Sequence, residues 1–190
     1  MRRAYGSALV AAAAILVPLG LVAQQGEATR TVADGGIAVP GWNGKADGDG
    51  QVKDAKFAKE GDALHVVTGP AMVYWNPANT ASGNYTVKAT FTESQYQNLN
   101  DHPHPYGIVI GGNELGTDRQ SYLYCAAYGN GRFIVRGFGP EPFQVNGRRP
   151  EANAAIHQAA GQGQPVTQEI AVSVKERDGK DAVELVRGAS

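Results

Sequence analysis

A chain of 190 residues with 17 Lys+Arg, 18 Asp+Glu and a formal net charge of −1 carries no basic stripe, so the electrostatic footprint of a nucleic-acid binder is missing. Its 25 glycines call for many tight turns, and its single cysteine rules out an intrachain disulfide. The fold must therefore rest on its core, and one domain of this length is large enough to bury one.

The first 23 residues read as an export signal. Arg2 and Arg3 form a short basic region, and an apolar run follows from Leu9 to Leu21. That run falls short of the roughly 20 residues a membrane-spanning helix needs. Leu21-Val22-Ala23 offers a small residue before a cut; because Leu21 departs from the usual pattern, an uncleaved N-terminal anchor is the competing reading. No cysteine follows to carry a lipid, and no second apolar run is long enough to cross a bilayer. The expected location is periplasmic or secreted, with no membrane span in the mature chain. Removing Arg2 and Arg3 with the signal leaves 15 basic against 18 acidic side chains, a net charge near −3.

Residues 24–36 are polar and glycine-containing and read as a flexible leader to a single domain over 37–190. Gly41-Trp42-Asn43-Gly44 and Asp47-Gly48-Asp49-Gly50 punctuate loops. Strands are then predicted at Ala63–Thr68, Ala71–Trp75, Tyr85–Glu93, Tyr106–Gly111, Ser121–Ala127, Arg132–Gly137, Gln168–Glu176 and Ala182–Val186. The clearest is Tyr85–Glu93, in which Tyr85, Val87, Ala89 and Phe91 alternate with Thr86, Lys88, Thr90 and Thr92. That period of two marks a strand with one buried face. Turn signals separate the strands, among them Gly61-Asp62, Gly111-Gly112-Asn113 and Asp178-Gly179. Asn130-Gly131 is the strongest, since a type I′ hairpin needs positive φ at both positions. A short helix or loop is expected over Glu151–Ala159, which is alanine-rich and follows Pro150.

Eight short strands with these turns predict an all-β fold, an antiparallel β-sandwich or jelly roll. The predicted core is Leu64, Val66, Tyr85, Val87, Phe91, Ile108, Ile110, Leu123, Cys125, Phe133, Val135, Ile170, Val172 and Val174. Cys125 fits this core as a small buried hydrophobe, and a nucleophile would want a histidine beside it.

Gly69-Pro70-Ala71-Met72-Val73-Tyr74-Trp75, Gly83-Asn84-Tyr85-Thr86-Val87, Pro105 to Gly112 and Gln120-Ser121-Tyr122-Leu123-Tyr124 follow one another in an order that resembles a group of bacterial exported proteins. Those proteins are similar to the concanavalin A-like lectin/glucanase jelly rolls, and relatives are loosely labelled 3-keto-disaccharide hydrolase-type (laminin G-like) domains. The resemblance covers roughly residues 40–177 and implies the fold; it carries over no catalytic set. It also implies a further hairpin and a last core strand beyond Val172-Ser173-Val174, whereas the chain stops at Ser190. A missing final strand would leave an apolar seam and an open edge.

Four constellations hold candidate chemistry. Asp101, His102 and His104, in a proline-stiffened loop, offer an oxygen and two imidazoles to a divalent metal, although the prolines alone account for an extended loop. Asp47 and Asp49 suggest a structural calcium, but Gln51 and Val52 break the helix–loop–helix pattern, and an Asp-Gly turn explains the motif. No cofactor is required by either reading. Glycoside hydrolysis needs two carboxylates across a cleft; the Glu-x-Asp-x-x-Glu strand of the glucanases is absent, and Glu93, Glu114, Asp118, Glu141 and Glu151 fall at strand ends or in loops. Finally, Tyr122, Tyr124 and Tyr128 share the face opposite Leu123 and Cys125. With Arg132, Arg136 and Trp75 they could cradle a glycan, against the plainer reading that tyrosine favours half-buried sheets. The leading expectation is a carbohydrate-recognising module with a saccharide or glycan ligand. A sugar-processing hydrolase and a structural envelope protein without a small ligand are the alternatives.

Overall fold

The computed structural model describes residues 32–67, 69–99, 102–147 and 150–187. The molecule is all-β. Among the described residues the strands are β1 (Gly36–Ile37), β2 (Asn43–Ala46), β3 (Lys56–Glu60), β4 (Ala63–Val67), β5 (Met72–Trp75), β6 (Tyr85–Glu93), β7 (Asn98–Leu99), β8 (His102–Pro103), β9 (Pro105–Asn113), β10 (Ser121–Tyr128), β11 (Phe133–Phe138), β12 (Phe143–Gln144), β13 (Val166–Arg177) and β14 (Lys180–Arg187). The predicted signal lies outside the described residues. Of the leader, Gly36 already belongs to the fold, since β1 pairs in parallel with β3 through Gly36 and Lys56.

Two antiparallel sheets carry the core. One has the order β12-β11-β10-β9 and the other β14-β13-β6. Strand alternation turns Ile108, Cys125, Ala127, Ile170 and Val172 inward, with Phe91, Tyr106, Ile110, Leu123 and Val135 packed around them. Cys125 and Val172 are 0 % exposed. Burial pushes the Cys125 thiol up to about 11, so it is a core side chain and not a nucleophile.

The predicted core is too generous at its rim. Leu64 and Val66 are 47 % and 41 % exposed. They sit on β4, the edge strand of its sheet, opposite Lys59 and Phe57, so their outer sides have no neighbouring strand. Val87 is 39 % exposed although it lies across from buried Val172, because β6 is the edge strand of its sheet.

The smaller sheets, β1-β3-β4 and β2-β5, are joined by aromatic rings. Phe57 stacks on Tyr74 at 4.4 Å and meets Trp42 at 5.1 Å. Gly44 is required there, since a Cβ would lie 2.9 Å from both the Tyr74 ring and Ile37. Strands β2 and β3 are absent from the sequence expectation: Asn-Gly-Lys-Ala and Lys-Phe-Ala-Lys-Glu have too few apolar residues to show a period.

The turns also redistribute. The type I′ geometry expected at Asn130-Gly131 occurs instead at Asp178-Gly179, with φ of 55° and 70° between the paired Arg177 and Lys180. At the β10–β11 turn only Gly131 has positive φ, and Asn130 Oδ1 accepts from the Arg132 amide at 3.2 Å. Gly111-Gly112 is no turn. The β9 strand runs through it with one extra residue opposite Ser121–Leu123, a bulge that Gly111 makes with φ of 63°.

No helix forms over 151–159. The backbone there is claimed by tertiary partners: Asn153 N–H donates to Gly131 O, Ala159 N–H to Gly129 O, and His157 is held both ways by the Gln168 side chain at 3.1 and 2.7 Å. The segment straps the end of the sandwich and brings Ile156 onto the core.

Candidate functional site

The outward face of the four-stranded sheet is built by register. Tyr122, Tyr124 and Ala126 on β10 oppose Phe138, Arg136 and Ile134 on β11, and Ala126 also opposes Gly107 on β9. Tyr128 and Arg132 face each other across the turn, where the Tyr128 N–H donates to Arg132 O at 2.9 Å. Ala126 and Ile134 are 1 % and 8 % exposed, whereas the tyrosines, the arginines and Phe138 are half-buried. The buried Ala126–Ile134 pair thus separates Tyr128 and Arg132 from Tyr122, Tyr124, Arg136 and Phe138.

Its rings are ordered. Tyr122 stacks on Phe138 with centroids 4.8 Å apart and planes 20° from parallel. Tyr124 meets the same ring edge-on at 6.3 Å. The Arg136 guanidinium carbon lies 4.6 Å from the Phe138 centroid, a cation–π distance. Burial raises the phenols of Tyr122, Tyr124 and Tyr128, while Arg136 pulls Tyr122 and Tyr128 back and Arg132 pulls Tyr128. All three therefore remain O–H donors at neutral pH.

The structure brings together five of the six predicted ligand residues, Tyr122, Tyr124, Tyr128, Arg132 and Arg136. Trp75 stands apart. It packs beside Gly116, 3.3 Å from where a Cβ would sit, against the β9–β10 connection. Phe138 was missed, although Arg132, Ile134, Arg136 and Phe138 show the same alternation as the tyrosines; pairing with Tyr122 is what gives it meaning.

A second polar cluster lies at the strapped end of the sandwich. Glu93 and Tyr106 approach from β6 and β9, with Phe91 and Tyr106 rings 5.7 Å apart. Burial raises the Glu93 carboxyl, against the Gln97 amide and His104, which pull it down. Glu93 Oε2, Asn98 Oδ1 and the Tyr106 hydroxyl are buried without a protein partner. Non-local contacts make this cluster, so no local motif announces it.

Of the predicted metal loop, Asp101 and the His102 side chain lie outside the described residues, and His104 faces Glu93 electrostatically. Among the described residues, no three His, Cys, Asp or Glu side chains converge on a metal position. At Asp47-Gly48-Asp49-Gly50, the Gly50 amide bonds to Asp47 O and the Gly48 amide to Asp47 Oδ1, which accounts for a turn. The remaining carboxylates in loops are partly engaged: Glu114 pairs with Arg119 at 2.9 Å and Asp118 with Lys45 at 3.0 Å.

Comparison of the chain with protein-family models, curated proteins and solved structures finds no match, so the site is read from its own geometry.

Proposed function

We propose that this chain is an exported carbohydrate-recognising β-sandwich, of concanavalin A-like jelly-roll type, whose binding face is the outward face of β9–β11. The observation that carries the reading is the ordered platform of Tyr122 on Phe138, flanked by Tyr124, Tyr128 and Arg136. A sugar ring presents C–H groups on its faces and hydroxyls on its rim. Aromatic planes receive the former, and phenol O–H and guanidinium N–H groups bond the latter. The N-terminal sequence supports export. Hydrolysis is supported less, because Glu114 and Asp118 are held in ion pairs and the unpartnered oxygen of Glu93 is sealed from solvent.

A thermal-shift screen against a saccharide panel, with and without chelator and divalent metals, tests this. A melt raised by one sugar class in the parent protein and not in Tyr122→Ala is expected. A cooperative melt that no sugar moves would favour the structural envelope alternative, turnover of a sugar the hydrolase, and a chelator-sensitive melt a bound metal.

A further inference from the structure

Among the arginines whose side chains are described, the ion pairs leave two over. Arg119 bonds to Glu114 at 2.9 Å and Arg177 to Glu184 at 2.7 Å, while Lys45, Lys88 and Lys175 each have a carboxylate within 3.5 Å. Among the described residues, Arg132 and Arg136 have no carboxylate partner, although both are half-buried and both lie on the aromatic face. Half-burial without a counter-ion is unfavourable for a guanidinium, because less water solvates it and the field around it is screened less. Asp47 acts electrostatically on Tyr122, at the end of the face away from Arg132.

Resting on the saccharide reading above, we propose that this face selects an anionic saccharide, one carrying a carboxylate or a sulfate, and that Arg132 and Arg136 read the negative charge. Arg136 is placed for it: the Phe138 ring holds it at 4.6 Å, and it acts electrostatically on Tyr122 and Tyr128, so it lies between the two ends of the tyrosine row. Arg132 adds a second positive group beside Tyr128. A guanidinium presents paired N–H donors in a plane, the geometry that the oxygens of a carboxylate or sulfate accept. The phenols of Tyr122 and Tyr128 supply neutral donors alongside.

The test is calorimetric titration of the protein with trigalacturonate, its fully methyl-esterified form, a sulfated disaccharide, and neutral cello- and malto-oligosaccharides. The ester keeps the sugar and removes only the charge. The expected result is that the acid binds roughly tenfold or more tightly than its ester, that salt weakens the acid and not the ester, and that Arg136→Gln and Arg132→Gln each narrow the gap. Arg136→Lys should restore part of it, since charge returns without the fork. A preference for the sulfated sugar over the uronate would assign the anion as sulfate. If acid and ester bind equally, or only the neutral sugars bind, the charge selection is overturned while saccharide recognition stands. If no sugar binds, both fall. Should Arg136→Gln not fold, Arg132→Gln and the salt dependence of the parent protein decide.

Discussion

The two sheets of the sandwich share a core but differ on their outward faces. On the three-stranded sheet, polar groups answer one another. Thr86 and Ser173 hydroxyls meet at 2.8 Å, Thr92 and Thr167 at 3.0 Å, Lys88 faces Glu169, and Glu184 takes both Lys175 and Arg177. On the four-stranded sheet the polar groups are set on aromatic rings, and Arg132 and Arg136 find no acid among the described residues. A cross-strand ladder that is satisfied internally offers a ligand little, since binding must first break its bonds. A face with donors in reserve and ordered rings offers both contact area and hydrogen bonds. The contrast assigns the first face to stability and the second to recognition.

The largest expected effect comes from breaking the recognition sheet itself. A Cβ on Gly107 would lie 2.0 Å from Cys125 O, inside the β9–β10 pairing. Gly107→Ala should cost about 3 kcal/mol or more, read by urea denaturation, and abolish ligand binding with the fold. Val172→Ala empties a fully buried site on the other sheet and should cost about 2–3 kcal/mol, with affinity per folded molecule unchanged. Phe138→Ala reverses that pattern: it removes the ring that orders Tyr122 and Arg136, so saccharide affinity should fall about tenfold, while stability falls by about 1 kcal/mol. Thr86→Ala leaves the buried Ser173 hydroxyl without its partner and should cost about 1 kcal/mol, with no change in binding.

The smallest effect is a pH dependence. Burial holds the Glu93 carboxyl above its ordinary value of 4.5 in the folded chain. The unfolded chain then releases that proton first, so the folded state binds more protons in the window above 4.5 and stability declines as pH rises through it. Glu93→Gln should remove this decline, raising the melting temperature at pH 7 by about a degree or two and leaving it unchanged below pH 4. A lowered melt at pH 7 would show that the ionised carboxylate is a partner the structure needs.

Much of this contrast is legible in the sequence. Alternation in Tyr85–Glu93 and Ser121–Tyr128 placed the inward and outward sets correctly, because a strand with one buried face writes its period into the sequence. The tyrosine row follows from the same rule, while Arg132 and Arg136 are expected only as its neighbours. Phe138 did not, since its role depends on which residue lies across the ladder. Strands β2 and β3 are hidden by glycine and charge, and Leu64 and Val66 are misplaced because apolar character does not say which strand lies at a sheet edge. The 151–159 segment has helical composition, yet Gln168, Gly129 and Gly131 compete successfully for its backbone. Local propensity is a weak guide where tertiary hydrogen bonds are available.

The most direct measurement is chemical-shift mapping of the isotope-labelled protein with the saccharide that most raises its melt. The account predicts shifts concentrated on Tyr122, Tyr124, Tyr128, Arg136 and Phe138, with the Thr86–Ser173 face silent. Shifts concentrated on β6 and β13, or around Glu93 and Tyr106 with the tyrosine row silent, would contradict it.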